Sequence, residues 1–105
     1  MRNIEEICSV PGVDMVQFGP ADYSMSRGFN MQEHREETLA VEREMIQVAL
    51  RHGVKPRCEI HSVDSAKYYI DLGVRHFCLG DQFYILKKYW DEQGKEMRMA
   101  ADALK

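Results

Sequence analysis

A chain of 105 residues with 14 Lys and Arg against 17 Asp and Glu carries a formal charge of −3, and 45% of its residues are hydrophobic. This length holds one domain at most, and the composition is that of a globular chain, which excludes a disordered or fibrous one. Mild acidity without a dense Lys/Arg run excludes a nucleic-acid footprint, and no apolar run nears the roughly 18 residues of a membrane span.

The N-terminus MRNIEEICSV lacks the apolar core of a signal peptide. Cys8, Cys58 and Cys78 are odd in number and widely spaced. They read as reduced, buried thiols, which predicts a cytoplasmic home.

The first predicted element is a helix over Asn3–Ser9, with Ile4, Ile7 and Cys8 on one face and Glu5 and Glu6 outward. A strand follows over Val13–Gly19, after Pro11-Gly12. The next helix runs from about Gln32 to His52, where Leu39, Ile46, Ala49 and Leu50 form an apolar stripe that Met45 widens. Gly53 ends it, because glycine takes the left-handed conformation past a helix end without a Cβ clash.

A second strand covers Val54–His61. Ser62 or Asp64 caps a helix through Leu72 that buries Ala66, Tyr69 and Ile70. Gly73 then gives way to a third strand, Val74–Gly80. A last helix starts near Phe83, with a break near Gly94, and ends on Met97, Ala101 and Leu104. The alternation predicts an α/β fold with three parallel strands, joined right-handedly by helices. Three strands covered on one face leave the other face bare and two edges open, so the chain reads as part of a larger α/β barrel.

Ligands of parallel α/β folds gather at the carboxyl ends of strands. Three stretches stand there: Gly19–Ser24 (GPADYS), Glu59–Ser62 (EIHS) and Gly80–Gln82 (GDQ). In the first, Gly19 allows close approach of a ligand and Pro20 stiffens the turn. Asp22 either caps a following turn or holds a hard divalent cation, and the pattern leaves both open.

The stretch IEEICSVPGVDMVQFGPADYSMSRG, with its GPAD-x-S motif, resembles the HpcH/HpaI aldolase family, and RHGVKPR and AKYYIDLGVRHFCLG continue the resemblance. It spans essentially the whole chain and corresponds to the C-terminal portion of a typical member. The resemblance implies the C-terminal part of a TIM (β/α)8 barrel of the phosphoenolpyruvate/pyruvate type, with residues 1–105 as one partial domain. It also implies a metal-dependent aldolase joining pyruvate to an aldehyde or cleaving the product. Asp22 matches the family's metal-binding aspartate, and Gly19, Pro20, Ala21 and Asp22 match the loop that receives the pyruvate carboxylate. The metal is divalent, Mg, Mn or Co. The second metal-binding Glu, a His-centred base and a substrate-binding Arg fall upstream of residue 1.

Pyruvate and an aldehyde are thus the expected small-molecule partners, with neither nucleic acid nor membrane, and the family's exchanged C-terminal helices imply a homo-oligomer through Phe83–Trp90. Two other readings stay open: a citrate-lyase-type lyase of an acyl-CoA, and a non-catalytic truncated barrel module that acts by interaction.

Four charged positions carry no assigned role. Arg57, Glu59 and His61 share one face of the second strand, where Arg57 and Glu59 need pairing; they read as a structural ion pair across the barrel mouth or as contacts from Glu59 or His61 to the aldehyde. Asp81 stands one place before the aspartate of many relatives, so it is not taken as catalytic. His76 reads as a satisfied core histidine, while Tyr68, Tyr69, Tyr89 and Trp90 read as helix packing.

Overall fold

The computed structural model describes residues 2–105. In chain order it contains α1 (Ile4–Ser9), β1 (Met15–Gln17), α2 (Pro20–Arg27), α3 (Arg35–Arg51), β2 (Lys55–Ile60), α4 (Val63–Asp71), β3 (His76–Leu79) and α5 (Gln82–Asp102). The strands form one parallel sheet in the order β1-β2-β3. Among the described residues, no helix is long and apolar enough to cross a membrane.

The core lies on one face of this sheet. Met45, Ile46, Val48 and Ala49 of α3 pack with Ile4 and Cys8 of α1 and with Phe18, Val54, Cys58 and Val74 from the strands and their junctions. On β2 the alternation is sharp: Pro56, Cys58 and Ile60 are buried under the helices, while Lys55 and Glu59 are exposed on the opposite face.

Of the three Gly-Val junctions, those at Gly53 and Gly73 are built alike. Gly53 (φ 71°) donates to Leu50 and Val54 to Ala49, while Gly73 (φ 101°) donates to Ile70 and Val74 to Tyr69. Each left-handed glycine satisfies carbonyls at a helix end and aims the following valine into the core.

Several expectations are corrected. The largest is α2, which takes the place of a simple turn. Pro20 supplies a helical φ at the first position, and Gly28 (φ 68°) closes the helix eight residues on. β1 is shorter than expected, because its chain enters α2 directly after Phe18 and Gly19. α3 starts at Arg35 instead of Gln32, after a turn. α5 runs unbroken through Gly94, a residue that costs a helix interior only about 1 kcal/mol among good helix formers. Ile7, Leu50 and Ile70 are 47%, 42% and 44% exposed, since their stripes are wider than the surfaces that cover them. His76 is half-buried on the open face and not in the core, because the helices cover only the other side.

Ser62 is the N-cap of α4, and Asp64 lies inside the helix. The Ser62 hydroxyl accepts from the Ser65 backbone N–H (3.2 Å), and the Ser65 hydroxyl returns to the Ser62 backbone. Ser62→Ala is expected to lower stability by about 1 kcal/mol, read as a shift of the urea midpoint at unchanged slope.

Candidate functional site

The carboxyl ends of β1, β2 and β3 bring the three predicted stretches to one end of the sheet. Gly19 is the N-cap of α2 and has no side chain to cap with, while Pro20, Ala21 and Asp22 form the first turn. The first ladder bond of this helix runs from the Tyr23 N–H to the Gly19 carbonyl at 2.9 Å. The N–H groups of Ala21 and Asp22 precede that bond, so the helix leaves them free to meet an anion. Asp22 is therefore not the cap of this helix. It sits at the third helical position, exposed, with its carboxylate folded back over Gly19. A Cβ on Gly19 would lie 2.8 Å from Asp22 Oδ2, so the glycine makes room for this carboxylate.

Ser24, the last residue of the GPAD-x-S motif, is 2% exposed and donates its hydroxyl to the Pro20 carbonyl at 2.8 Å. It fixes the turn without facing a ligand. Tyr23 packs on Phe18 and Phe29, and Phe29 stacks on His34, which ties α2 to the start of α3. This support was not legible in the sequence, although a Pro and a Gly eight residues apart could have signalled the helix.

The open face of the sheet carries a polar ladder. Arg57 Nη1 donates to Gln17 Oε1 at 2.7 Å, and Gln17 Nε2 donates to Glu59 Oε1 at 2.8 Å. Arg57 and Glu59 are thus linked through the Gln17 amide, and among the described residues neither side chain forms an ion pair. Same-face neighbours on one strand stand about 6.6 Å apart. Gln17, in register with Arg57, reaches across that gap. His61 lies one further step toward the strand end and faces the Tyr84 ring at 6.1 Å between centroids. Asp81 caps α5 by accepting from the Tyr84 N–H at 2.9 Å.

Beside the GPAD turn lies a cavity of about 380 Å³ whose lining includes Phe18, Pro20, Thr38, Glu42, His61 and Tyr69. Glu42 is only 6% exposed, and its Oε2 accepts from the Tyr69 hydroxyl at 3.2 Å. Burial pushes the Glu42 carboxyl above the usual carboxylate range, against hydrogen bonds from Tyr69 and Cys58 that pull it down. Burial, with Glu42 adding to it, raises the Cys58 thiol to about 12, so this cysteine stays an inert thiol. All three cysteines are free.

The raised Glu42 carboxyl has a consequence for stability. Its folded pKa exceeds its unfolded one, so the folded state holds more protons, and the contribution of Glu42 is lost as pH rises from the unfolded value through the folded one. Glu42→Gln keeps the hydrogen-bond acceptor and removes the titration. Urea midpoints between pH 4 and 8 should therefore fall less steeply with rising pH in the variant than in the wild type.

A metal at this end of the sheet finds one carboxylate, Asp22, on the turn. Among the described residues, no group of three His, Cys, Asp or Glu side chains could hold an ion by itself. The exposed Asp22 fits a hard cation as one oxygen ligand, and other donors must complete the shell.

A family model described as HpcH/HpaI aldolase/citrate lyase matches residues 1–80. The 4-hydroxy-2-oxo-heptane-1,7-dioate aldolase of Escherichia coli is 30% identical over 106 residues, which cover 100% of this chain and 40% of that protein. The aldolase of the same name from Shigella flexneri is 35% identical over 81 residues, covering 76% of this chain and 30% of that protein. The chain thus spans 40% or less of the length of these relatives. Among solved structures, a citrate synthase variant overlays with a TM-score of 0.85 at 22% identity, covering 95% of this chain and 44% of that one. Macrophomate synthase gives 0.78 at 20% identity, covering 99% and 36%. An HpcH/HpaI aldolase from Desulfitobacterium hafniense gives 0.73 at 24% identity, covering 93% and 39%. These overlays show the fold, three consecutive strands and their helices from a TIM barrel.

Proposed function

We propose, on the premise that this chain belongs to the HpcH/HpaI aldolase/citrate lyase family, that it carries the pyruvate-binding corner of a metal-dependent aldolase and that residues 1–105 form one partial barrel domain. The observation that carries this reading is the Gly19–Asp22 turn, with free N–H groups on Ala21 and Asp22 beside a carboxylate folded back over Gly19.

The substrate class is a 4-hydroxy-2-oxo acid. In the cleavage direction, the 4-hydroxyl proton passes to a base, the bond between carbons 3 and 4 breaks, and carbon 4 leaves as an aldehyde. The bonding pair stays on carbon 3 as an enolate, which takes a proton to give pyruvate. Asp22 would be one ligand of a divalent ion, Mg, Mn or Co, which when bound would supply Lewis-acid stabilisation of this charge. The first turn of α2 binds and orients the pyruvate carboxylate through peptide N–H groups, so no Lys or Arg side chain is needed for it on this strand end. Ser24 holds that turn in shape through the Pro20 carbonyl.

The dioate in the relatives' name is not carried over to this chain. Homo-oligomerisation through α5 belongs to the same proposal, supported by the exposure of Phe83, Ile85, Leu86, Tyr89, Trp90 and Met97. A cytoplasmic setting fits free cysteines, of which Cys8 and Cys58 are buried. A second reading, an interaction module without catalysis, is favoured by the single carboxylate donor on the turn.

The test is pyruvate release from a 4-hydroxy-2-oxo acid with Mn²⁺, beside a titration of Mn²⁺ and pyruvate followed at the Gly19–Asp22 amides. Metal-dependent perturbation of those amides supports the aldolase corner. A folded chain whose turn responds to neither addition leaves the interaction module as the reading.

A further inference from the structure

Along the open face of β2 the side chains run Lys55, Arg57, Glu59 and then His61 toward the carboxyl end, so the cations lie deep and the carboxylate lies near the mouth. Gln17 and Arg57 are the last β1–β2 pair of the register; Gly19 and Glu59 each follow two residues on, at the carboxyl ends of their strands. Cys78 flanks Glu59 from β3. Glu59 also borders both the cavity beside Pro20 and a smaller one of about 80 Å³ shared with His61 and Gly80.

Its carboxylate is held in place. Gln17 donates to one of its oxygens, while Arg57 is engaged with the far side of the same amide. Among the described residues no ion pair joins Arg57 to Glu59, so the negative charge at the mouth is oriented but not neutralised by direct contact. The second carboxylate oxygen is free to accept from a ligand hydroxyl.

We propose that Glu59 is a specificity-determining residue for the aldehyde half of the substrate, selecting an uncharged, hydroxylated aldehyde over one that carries a carboxylate. The inference rests on the aldolase reading above, which places pyruvate on the neighbouring turn. A molecule extended from Gly19 across the sheet mouth meets Glu59 next. A hydroxyl there gains a charge-assisted hydrogen bond, whereas a second carboxylate meets a like charge at short range in a partly enclosed site. Gln17 is a positioning residue, because it aims the carboxylate and touches no ligand itself.

The experiment compares glyceraldehyde with succinic semialdehyde as acceptors in Mn²⁺-dependent aldol addition of pyruvate, using the wild type, Glu59→Leu and Glu59→Gln. The wild type should favour glyceraldehyde by at least about tenfold in kcat/KM, and Glu59→Leu should move that ratio toward or past unity. Glu59→Gln keeps the hydrogen-bonding shape without the charge and should lose the discrimination against the anion. An unchanged ratio in both variants would overturn the proposal. The same two aldehydes are also titrated onto the folded chain and followed at the Glu59 and His61 side-chain resonances. Where turnover is absent, glyceraldehyde-specific shifts at these positions support the proposal, and their absence refutes it. Pyruvate and Mn²⁺ shifts at Gly19–Asp22 report on the aldolase reading separately.

Discussion

Asp22→Ala should cut Mn²⁺-dependent pyruvate release from a 4-hydroxy-2-oxo acid by at least about 100-fold. A metal supplies several kcal/mol of charge stabilisation, and each ~1.4 kcal/mol is a factor of ten in rate. Asp22 is the one carboxylate on the turn, so its loss leaves the peptide N–H groups of α2 without the ligand that would couple them to a cation. Because Asp22 is exposed and makes no core contact, its substitution should leave the denaturation midpoint within about 0.5 kcal/mol of the wild type. Folding and function therefore separate cleanly in this variant. Far-ultraviolet circular dichroism confirms the fold, and Mn²⁺-induced broadening of the Gly19–Ser24 amides, lost in Asp22→Ala, confirms the cause. Retained release in a folded Asp22→Ala variant would remove Asp22 from the metal site.

The second large effect concerns the core. Ile46 is completely buried at the centre of α3, beside Met45 and Ala49 and against the sheet. Ile46→Ala should cost about 2–5 kcal/mol, the transfer term plus the cavity left where neighbours cannot collapse. A domain of this size has about 5–15 kcal/mol in hand at best, so the substitution should remove a large share of its stability. Ile46→Val, which removes a single methylene, should cost about 0.5–1.5 kcal/mol. Urea denaturation of both measures the pair, and equal small losses would mean that α3 is not the centre of the core.

The helix-to-strand junctions were the most legible part of the chain, for a stereochemical reason. A glycine at a helix end followed by valine announces both a left-handed residue and a buried strand start, and Gly53 and Gly73 adopt that geometry. The bare second face of the sheet was legible as well, since three parallel strands cannot be covered on both faces by the helices available.

What escaped was local and lateral. α2 has a polar composition and no long apolar stripe, so periodicity gave no signal, and its punctuation by Pro20 and Gly28 was the only trace. The role of Gln17 depends on register: nothing in the residues themselves says that an amide on β1 falls between a guanidinium and a carboxylate on β2. Likewise Ser62 and Asp64 are equally good caps on paper, and only the reciprocal bond with Ser65 decides between them. The GPAD-x-S motif was visible from the start. That its serine holds the turn instead of facing the ligand required the fold.

The amide bridge on the open face has one more implication, for wetting. A barrel lumen lined by aliphatic side chains would collapse or stick if opened to water, whereas this face keeps its donors and acceptors engaged with one another before any neighbour covers it. Arg57, Gln17 and Glu59 can thus stand against water or inside a lumen with the same two bonds between them.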